Sequence, residues 1–165
     1  MTAPRSTESD PDGQSSVRRG VIGLGNPLRG DDGVVPELFE RLRTSDREFD
    51  AEFLEFGDAN FRMLHALADF DRVLVVDAVR YGGEPGEHVE FTPEEVVSKT
   101  DSGGSHDSDL LELVELADRM GESADEVRIF GIQPASMEMG DGLSDPMEAR
   151  LTELVAALED SVKKL

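Results

Sequence analysis

Three side chains suited to binding a divalent metal ion stand at comparable places in the sequence. Asp32 lies in the glycine-rich turn after the first apolar run, Asp77 follows the aliphatic run 73–76, and His106 closes a glycine- and serine-rich loop. If the apolar runs are parallel strands, their carboxyl ends lie on one edge of the sheet, where the three side chains can converge. Two carboxylates and one imidazole can bind a divalent transition metal and leave coordination positions open.

Each of these residues also has a structural interpretation. Asp32 can complement the dipole of the helix that begins beside it, with Asp31 as the N-cap. Asp77 can cap the end of its strand, although a carboxylate that ends a buried strand is costly without a partner, which favours function. His106 can be exposed to solvent or can cap the following helix.

The turn that carries Asp31 and Asp32 is not a nucleotide-binding loop. Leu28 stands where a dinucleotide fingerprint needs its third glycine, and the Gly-Lys-Ser/Thr of a P-loop is absent. The turn offers two carboxylates instead, which repel phosphate and attract cations. A cation therefore suits this turn better than a nucleotide does.

The elements that must position these residues alternate between strand and helix patterns. Strands are predicted at 19–24, 51–56, 73–76, 87–91 (an edge strand) and 127–132. Helical segments are predicted at 33–43, 61–68, 93–96, 110–120 and 145–162. The continuous aliphatic run before Asp77 is typical of a strand buried on both faces of a parallel sheet. We therefore predict an α/β fold, a three-layer α/β/α sandwich with a mostly parallel, twisted sheet of about five strands.

The two other histidines in these elements are interpreted as structural. His65 falls in the middle of a predicted helix, and His88 falls in the predicted edge strand.

Length and composition indicate one domain. Of the 165 residues, 1–17 are predicted to form a disordered polar tail and 18–165 a single α/β domain. The chain has no cysteine, which excludes disulfides, thiolate metal sites and a cysteine nucleophile. No apolar run approaches the length of a membrane span, so we expect a cytoplasmic protein with no membrane partner. We also expect a monomer.

The charge of the chain is strongly negative. Its formal net charge is −21, from 37 acidic and 16 basic residues. This balance argues against a nucleic-acid partner, which requires a basic face. Such acidity reflects either a solvated surface or adaptation to high salt, where repulsion between carboxylates is screened. We favour a halophilic adaptation.

Several motifs, taken together and in order, resemble those of the nickel–iron hydrogenase maturation endopeptidases. The chain carries Gly23-x-Gly25-Asn26-x-Leu28-x-Gly30-Asp31-Asp32-Gly33, Val75-Val76-Asp77-Ala78, Glu84-Pro85-Gly86-Glu87, Ser105-His106 and Gly131-Ile132-Gln133-Pro134. The Gly-Ile-Gln-Pro element and the Asp-Asp pair are most similar to the branch that serves formate-hydrogenlyase-type hydrogenases. The twisted sheet between helices of that family agrees with the predicted elements.

The resemblance implies an endopeptidase that removes a short C-terminal extension from the hydrogenase large-subunit precursor once nickel has been inserted. It implies that Asp32, Asp77 and His106 contact the metal, which we expect to be a divalent ion, nickel, from the enzyme or from the substrate. The family has no obvious catalytic serine or cysteine and no zinc-protease helix, and this chain has no His-Glu-x-x-His motif. If cleavage occurs, metal-assisted hydrolysis is the simplest route. We therefore predict that the same three residues are catalytic.

The chain departs from the family pattern in two places. Its second predicted strand ends Leu54-Glu55-Phe56-Gly57-Asp58, where the family usually has Asp-Gly-Gly-Ser/Thr. A supporting role for Glu55 is therefore doubtful. The stretch after His106 is more acidic than usual, with Asp107 and Asp109.

Two other functions stay open. The residues Gly23-Leu24-Gly25-Asn26-Pro27 also open the signature of bacterial peptidyl-tRNA hydrolases, although the chain continues differently and lacks the basic face that tRNA needs. A non-catalytic metal-sensing or assembly module on the same fold would use the same ligands, so the sequence does not separate it from an enzyme.

Overall fold

The computed structural model describes residues 16–97, 107–140 and 142–165 of the chain. Of the predicted tail, Ser16 and Val17 fall within these ranges and are exposed, while 1–15 lie outside them. None of the helices in the described ranges combines the length and apolar character that a membrane span requires.

A five-stranded, mostly parallel sheet forms the centre of the fold, as predicted. Its strands are β1 (Arg19–Leu24), β2 (Glu52–Phe56), β3 (Arg72–Ala78), β4 (His88–Phe91) and β5 (Glu126–Ile132). Their order across the sheet is β2-β1-β3-β5-β4. The three pairings among β2, β1, β3 and β5 are parallel, and β4 lies antiparallel to β5 at one edge.

Helices connect the strands and cover the sheet. A 3-10 turn (Gly30–Gly33) leads into α1 (Val34–Thr44), followed along the chain by α2 (Phe61–Leu67), α3 (Pro93–Val97), α4 (Asp107–Arg119) and α5 (Asp145–Lys163). The apolar residues of α1 and α5 pack on one face of the sheet, and those of α2 and α4 pack on the other. This is the predicted three-layer sandwich.

The central strand β3 joins the two halves of the core. Leu74 and Val76 pack with α1 and α5, whereas Val73 and Val75 pack with α2 and α4. All four side chains are 0% exposed, and burying each stabilises the fold by about 1.5–3 kcal/mol. The aliphatic run therefore occurs because this strand is covered on both faces.

The structure extends β3 beyond the predicted end at Val76. Asp77 pairs with Gly131, and Ala78 pairs with Ile132, both in register with β5. The backbone ladder continues because its hydrogen bonds do not depend on the polarity of the side chain. Asp77 is therefore a residue of the strand itself, which fixes its position more firmly than a loop would.

Candidate active site

An open cleft of about 460 Å³ lies at the carboxyl-terminal edge of the sheet. It is lined by residues from the ends of β1, β2 and β3, and from the turns, loops and helix that lie beside them. These residues are Leu24, Gly25, Asn26, Arg29, Asp32, Gly57, Asp58, Ala59, Asp77, Ala78, Asp109 and Met137. The position is the one at which open α/β sheets bind ligands.

Asp32 reaches this cleft from the 3-10 turn after β1. Its Oδ2 accepts a 2.8 Å hydrogen bond from the backbone N–H of Asn26, and its own N–H donates to the carbonyl of Arg29 at 3.1 Å. A side chain at Gly25 would place its Cβ 2.4 Å from the carbonyl oxygen of Asp32. The turn therefore needs glycine there, because the chain folds back closely on itself to present the carboxylate.

Asp77 enters the same cleft from β3. Asp77 is half-buried and lies between the fully buried Val76 and the buried Ala78. The structure thus places Asp32 and Asp77, which are 45 positions apart in the sequence, in one cleft lined by both. The sequence-based expectation that these two carboxylates share one edge of the sheet agrees with this placement.

His106 lies outside the described residues, so its position beside the two carboxylates stays a prediction. The next described residue is Asp107, the first residue of α4. Within the described ranges, no group of three His, Cys, Asp or Glu side chains is arranged to hold a metal ion. Of the three predicted metal ligands, the described ranges place two, Asp32 and Asp77, in the lining of the cleft.

The other aspartate of the turn, Asp31, is not the N-cap that the structural interpretation predicted. The N-cap positions are Arg29 for the 3-10 turn and Gly33 for α1. Asp31 is instead fully buried, and its carboxylate accepts hydrogen bonds from Ala135 and Ser144. Because these partners are distant in sequence, the local pattern gave no indication of them.

Sequence reasoning also missed other residues of the cleft. Asp58 and Asp109 bring the number of lining carboxylates to four, Arg29 contributes a guanidinium, and Met137 contributes an apolar side chain. Asp58 follows the end of β2, as Asp32 follows the end of β1. This position after a strand is the sequence feature that could have indicated Asp58. The four carboxylates make the cleft attractive to cations and unfavourable for phosphate.

The Gly-Ile-Gln-Pro element supports the loop after β3. The side-chain Oε1 of Gln133 accepts hydrogen bonds from the N–H groups of Tyr81 and Gly82, at 2.8 and 3.2 Å. Partial burial of the Tyr81 phenol, and then the nearby charge of Glu87, raise its pKa above the usual value. Gln133 thus orders the loop of residues 79–87, and this is a structural role.

Two histidines and one glutamate form contacts away from the cleft. In β4, His88 stacks on Phe130 with ring centroids 4.9 Å apart. In α2, His65 is exposed, and its Nδ1 lies 3.6 Å from Glu122 Oε2. Glu55 forms an ion pair with Arg43 that raises the pKa of the guanidinium. None of the three is among the residues that line the cleft in the described part of the chain.

Comparison with protein families decides the class of this chain. The hydrogenase maturation protease family, HycI, matches residues 34–161, which is well over half of the sequence. The chain belongs to the hydrogenase maturation protease family. The matched segment includes Asp77 and His106 and begins two positions after Asp32.

Individual members of this family are similar over most of the chain. The hydrogenase 2 maturation protease of Escherichia coli K12 is 28% identical over 148 residues, covering 86% of this chain and 90% of that protein. The solved structure of the hydrogenase maturating endopeptidase HybD from E. coli has 27% identity and a TM-score of 0.68, with 87% of this chain and 93% of that chain covered. For the [NiFe] hydrogenase maturation protease HycI from Thermococcus kodakarensis KOD1 the values are 25%, 0.68, 90% and 94%.

These similarities extend through the sheet and its helices, so the whole described fold is that of the maturation proteases. The protein is accordingly an enzyme, a hydrogenase maturation protease. Family membership favours the endopeptidase hypothesis over the peptidyl-tRNA hydrolase and the non-catalytic module.

Proposed function

We propose that this maturation protease removes the C-terminal extension of a nickel–iron hydrogenase large-subunit precursor after nickel insertion. The observation that carries the proposal is the shared cleft of Asp32 and Asp77 at the carboxyl-terminal edge of the sheet. We propose that the scissile peptide binds in this cleft. Its volume of about 460 Å³ falls within the range of about 300–1,000 Å³ that is usual for ligand pockets.

We propose in addition that Asp32, Asp77 and His106 hold a divalent metal ion, nickel, which either belongs to the enzyme or arrives with the precursor as part of the substrate. When bound, such an ion polarises the scissile carbonyl or lowers the pKa of a water molecule. The oxygen donors of the two aspartates support this assignment, and the family resemblance supports the histidine.

The chain's own residues would prepare the site for this reaction. The N–H of Asn26 holds one oxygen of Asp32 at 2.8 Å, which orients the carboxylate before the substrate arrives. The guanidinium of Arg29 can bind a carbonyl or carboxylate of the substrate, because it donates several hydrogen bonds in a fixed plane. Asp58 and Asp109 add negative charge to the cleft lining, which favours a cationic ligand.

The remaining proposals concern the surroundings of the enzyme. We propose a cytoplasmic monomer adapted to high salt. The net charge of −21 supports the adaptation, because high ionic strength weakens repulsion among the carboxylates. The absence of cysteine from the sequence is compatible with a reducing compartment.

The proposal is tested by incubating the purified protein with nickel-loaded precursor, nickel-free precursor and peptidyl-tRNA in parallel. We expect mass spectrometry to show loss of the C-terminal extension from the nickel-loaded precursor alone. Equal cleavage of the nickel-free precursor would contradict a role for the substrate's nickel. Hydrolysis of peptidyl-tRNA, with the precursor intact, would contradict the proposed substrate.

A further inference from the structure

A buried carboxylate beside the proposed site binds both ends of a distant loop. Asp31 is 0% exposed and accepts 2.7 Å hydrogen bonds from the backbone N–H groups of Ala135 and Ser144. The hydroxyl of Ser144 donates a third bond, at 2.8 Å. Ala135 and Ser144 stand near opposite ends of the segment between β5 and α5, whose described residues, 133–140 and 142–144, we call the β5–α5 loop. One side chain therefore fixes the separation of the two ends of this loop.

Backbone contacts add to this attachment. The N–H of Asp31 donates to the carbonyl of Ser136 at 2.9 Å, and the N–H of Gly30 donates to that of Gly140 at 3.2 Å. Gly30 has a positive φ of 54°, and a Cβ there would lie 2.7 Å from the carbonyl oxygen of Ser136. Only a residue without a side chain lets the 3-10 turn and the β5–α5 loop approach so closely.

The attached loop forms part of the cleft. Met137 is one of the lining residues. Two positions further on, Met139 is 76% exposed, and Leu28 on the neighbouring turn is 55% exposed. An isolated parallel bridge pairs Arg29 with Gly140. The residues that precede them, Leu28 and Met139, therefore stand at matching positions of the two segments. The loop thus adds apolar surface to a cleft whose other lining is rich in carboxylates.

Two of the hydrogen bonds of Asp32 lie within its own turn. Its carboxylate accepts from the N–H of Asn26, and its N–H donates to the carbonyl of Arg29. Both partners belong to the same turn as Asp32 and not to the β5–α5 loop. Loss of the Asp31 carboxylate would therefore loosen the loop, which keeps its backbone bonds to Gly30 and Asp31, without removing these two bonds of Asp32.

We propose that Asp31 is a positioning residue for substrate binding. It holds the β5–α5 loop so that Met137, together with Leu28 and Met139, contacts an extended, partly apolar segment of the precursor. The identity of that substrate rests on the function proposed above. Asp31 acts on the affinity for the precursor, whereas Asp32 acts on the chemical step.

The test compares Asp31→Asn with Glu159→Gln in steady-state cleavage of nickel-loaded precursor. Asparagine keeps the shape of Asp31 but turns an N–H group toward the donors, so the loop loses bonds. We expect KM to rise about tenfold while kcat stays within about threefold. Glu159 is the matched control, because it is also buried, pairs with Arg47 at 2.6 Å and lies on α5 outside the cleft lining. Its variant can lose stability but should keep both constants.

Two results would overturn the inference. One is a folded Asp31→Asn enzyme with the KM and kcat of the Glu159→Gln control, since the carboxylate would then serve stability alone. The other is a fall in kcat at unchanged KM, since Asp31 would then act through Asp32. If Asp31→Asn does not fold, Ser144→Ala replaces it, because that variant removes one of the three bonds. Its KM should rise about two- to threefold, and a wild-type KM would overturn the inference.

A binding measurement separates this inference from the proposed function. Immobilised nickel-loaded precursor is titrated with wild type, Asp31→Asn and Glu159→Gln. Weaker binding by Asp31→Asn alone supports the role of Asp31, even if wild type does not cleave the precursor, which would contradict the proposed function. Equal binding by all three overturns the inference about Asp31, and no binding by wild type overturns both.

Discussion

The backbone N–H of Asn26 donates a 2.8 Å hydrogen bond to the carboxylate of Asp32. The two residues are six positions apart, and the bond closes the glycine-rich turn after β1. The backbone of the turn therefore orients the carboxylate, while the Asn26 side chain accepts a 2.9 Å hydrogen bond from the N–H of Leu28 within the same turn.

This relationship predicts different consequences for the two residues. Asp32→Asn should lower kcat for precursor cleavage by about a hundredfold or more, because it removes a charge at the reacting centre. Asn26→Ala keeps the backbone N–H that bonds Asp32 and removes only the side-chain acceptor of the Leu28 N–H, so kcat should change by less than about fivefold. Cleavage rates at saturating precursor, with circular dichroism of both variants, check the prediction. Equal losses in the two would show that the charge of Asp32 is not what matters.

Regular elements could be predicted from the sequence because their patterns are local. The aliphatic run 73–76 indicated a strand covered on both faces, and the structure confirms it. The placement of Asp77 near the carboxyl end of β3 followed from the same rule. Its inclusion in the strand did not, because that depends on pairing with Gly131 of β5.

Long-range contacts explain what sequence reasoning missed. The partners of Asp31 are 104 and 113 positions away, so a local reading favoured an N-cap. Met137 lies in a loop whose approach to the cleft depends on those bonds. His106, the histidine predicted for the site, lies outside the described residues, so its place in the site stays a prediction.

The raised pKa of Tyr81 predicts an alkaline titration that can be observed directly, since the chain contains one tyrosine. Partial burial, and then the charge of Glu87, raise its pKa above the usual 10.0. We expect the phenolate absorbance near 295 nm to appear with a midpoint above 10, and Glu87→Gln to lower that midpoint slightly.

The sign for stability follows from the same shift. A pKa that is higher in the folded than in the unfolded state stabilises the fold below pH 10, and this contribution is lost as pH rises through the folded value. Tyr81→Phe should therefore lose less stability than wild type in the alkaline range. A phenolate midpoint at or below 10 in the folded protein would contradict both expectations.

The two-sided core predicts the cost of removing a central aromatic ring. Phe130 on β5 is 0% exposed, and Phe61 at the start of α2 is 68% exposed. Phe130→Ala should reduce the free energy of unfolding by about 3–5 kcal/mol, whereas Phe61→Ala should change it by about 0.5 kcal/mol or less. Denaturant unfolding of the two variants measures the difference. Similar values would contradict the assigned core.

The net charge predicts a dependence of stability on salt. The 165 residues carry a formal net charge of −21. Repulsion between carboxylates should therefore weaken the fold in dilute buffer and be screened in molar KCl. Thermal melts across a KCl series should therefore show a rising Tm. A Tm that does not change with KCl, in a protein fully folded at low ionic strength, would contradict halophilic adaptation and leave the enzymatic proposal intact.

The central claim is that Asp77 and His106 belong to one site that processes the precursor. The most direct measurement is mass-spectrometric cleavage of nickel-loaded precursor by the double variant Asp77→Ala, His106→Ala, with His65→Ala and His88→Ala as controls and circular dichroism to verify folding. We predict that the folded double variant leaves the C-terminal extension in place, because two ligands of the proposed metal are removed, while both controls cleave at nearly the wild-type rate. Cleavage by the folded double variant at the wild-type rate would contradict the account.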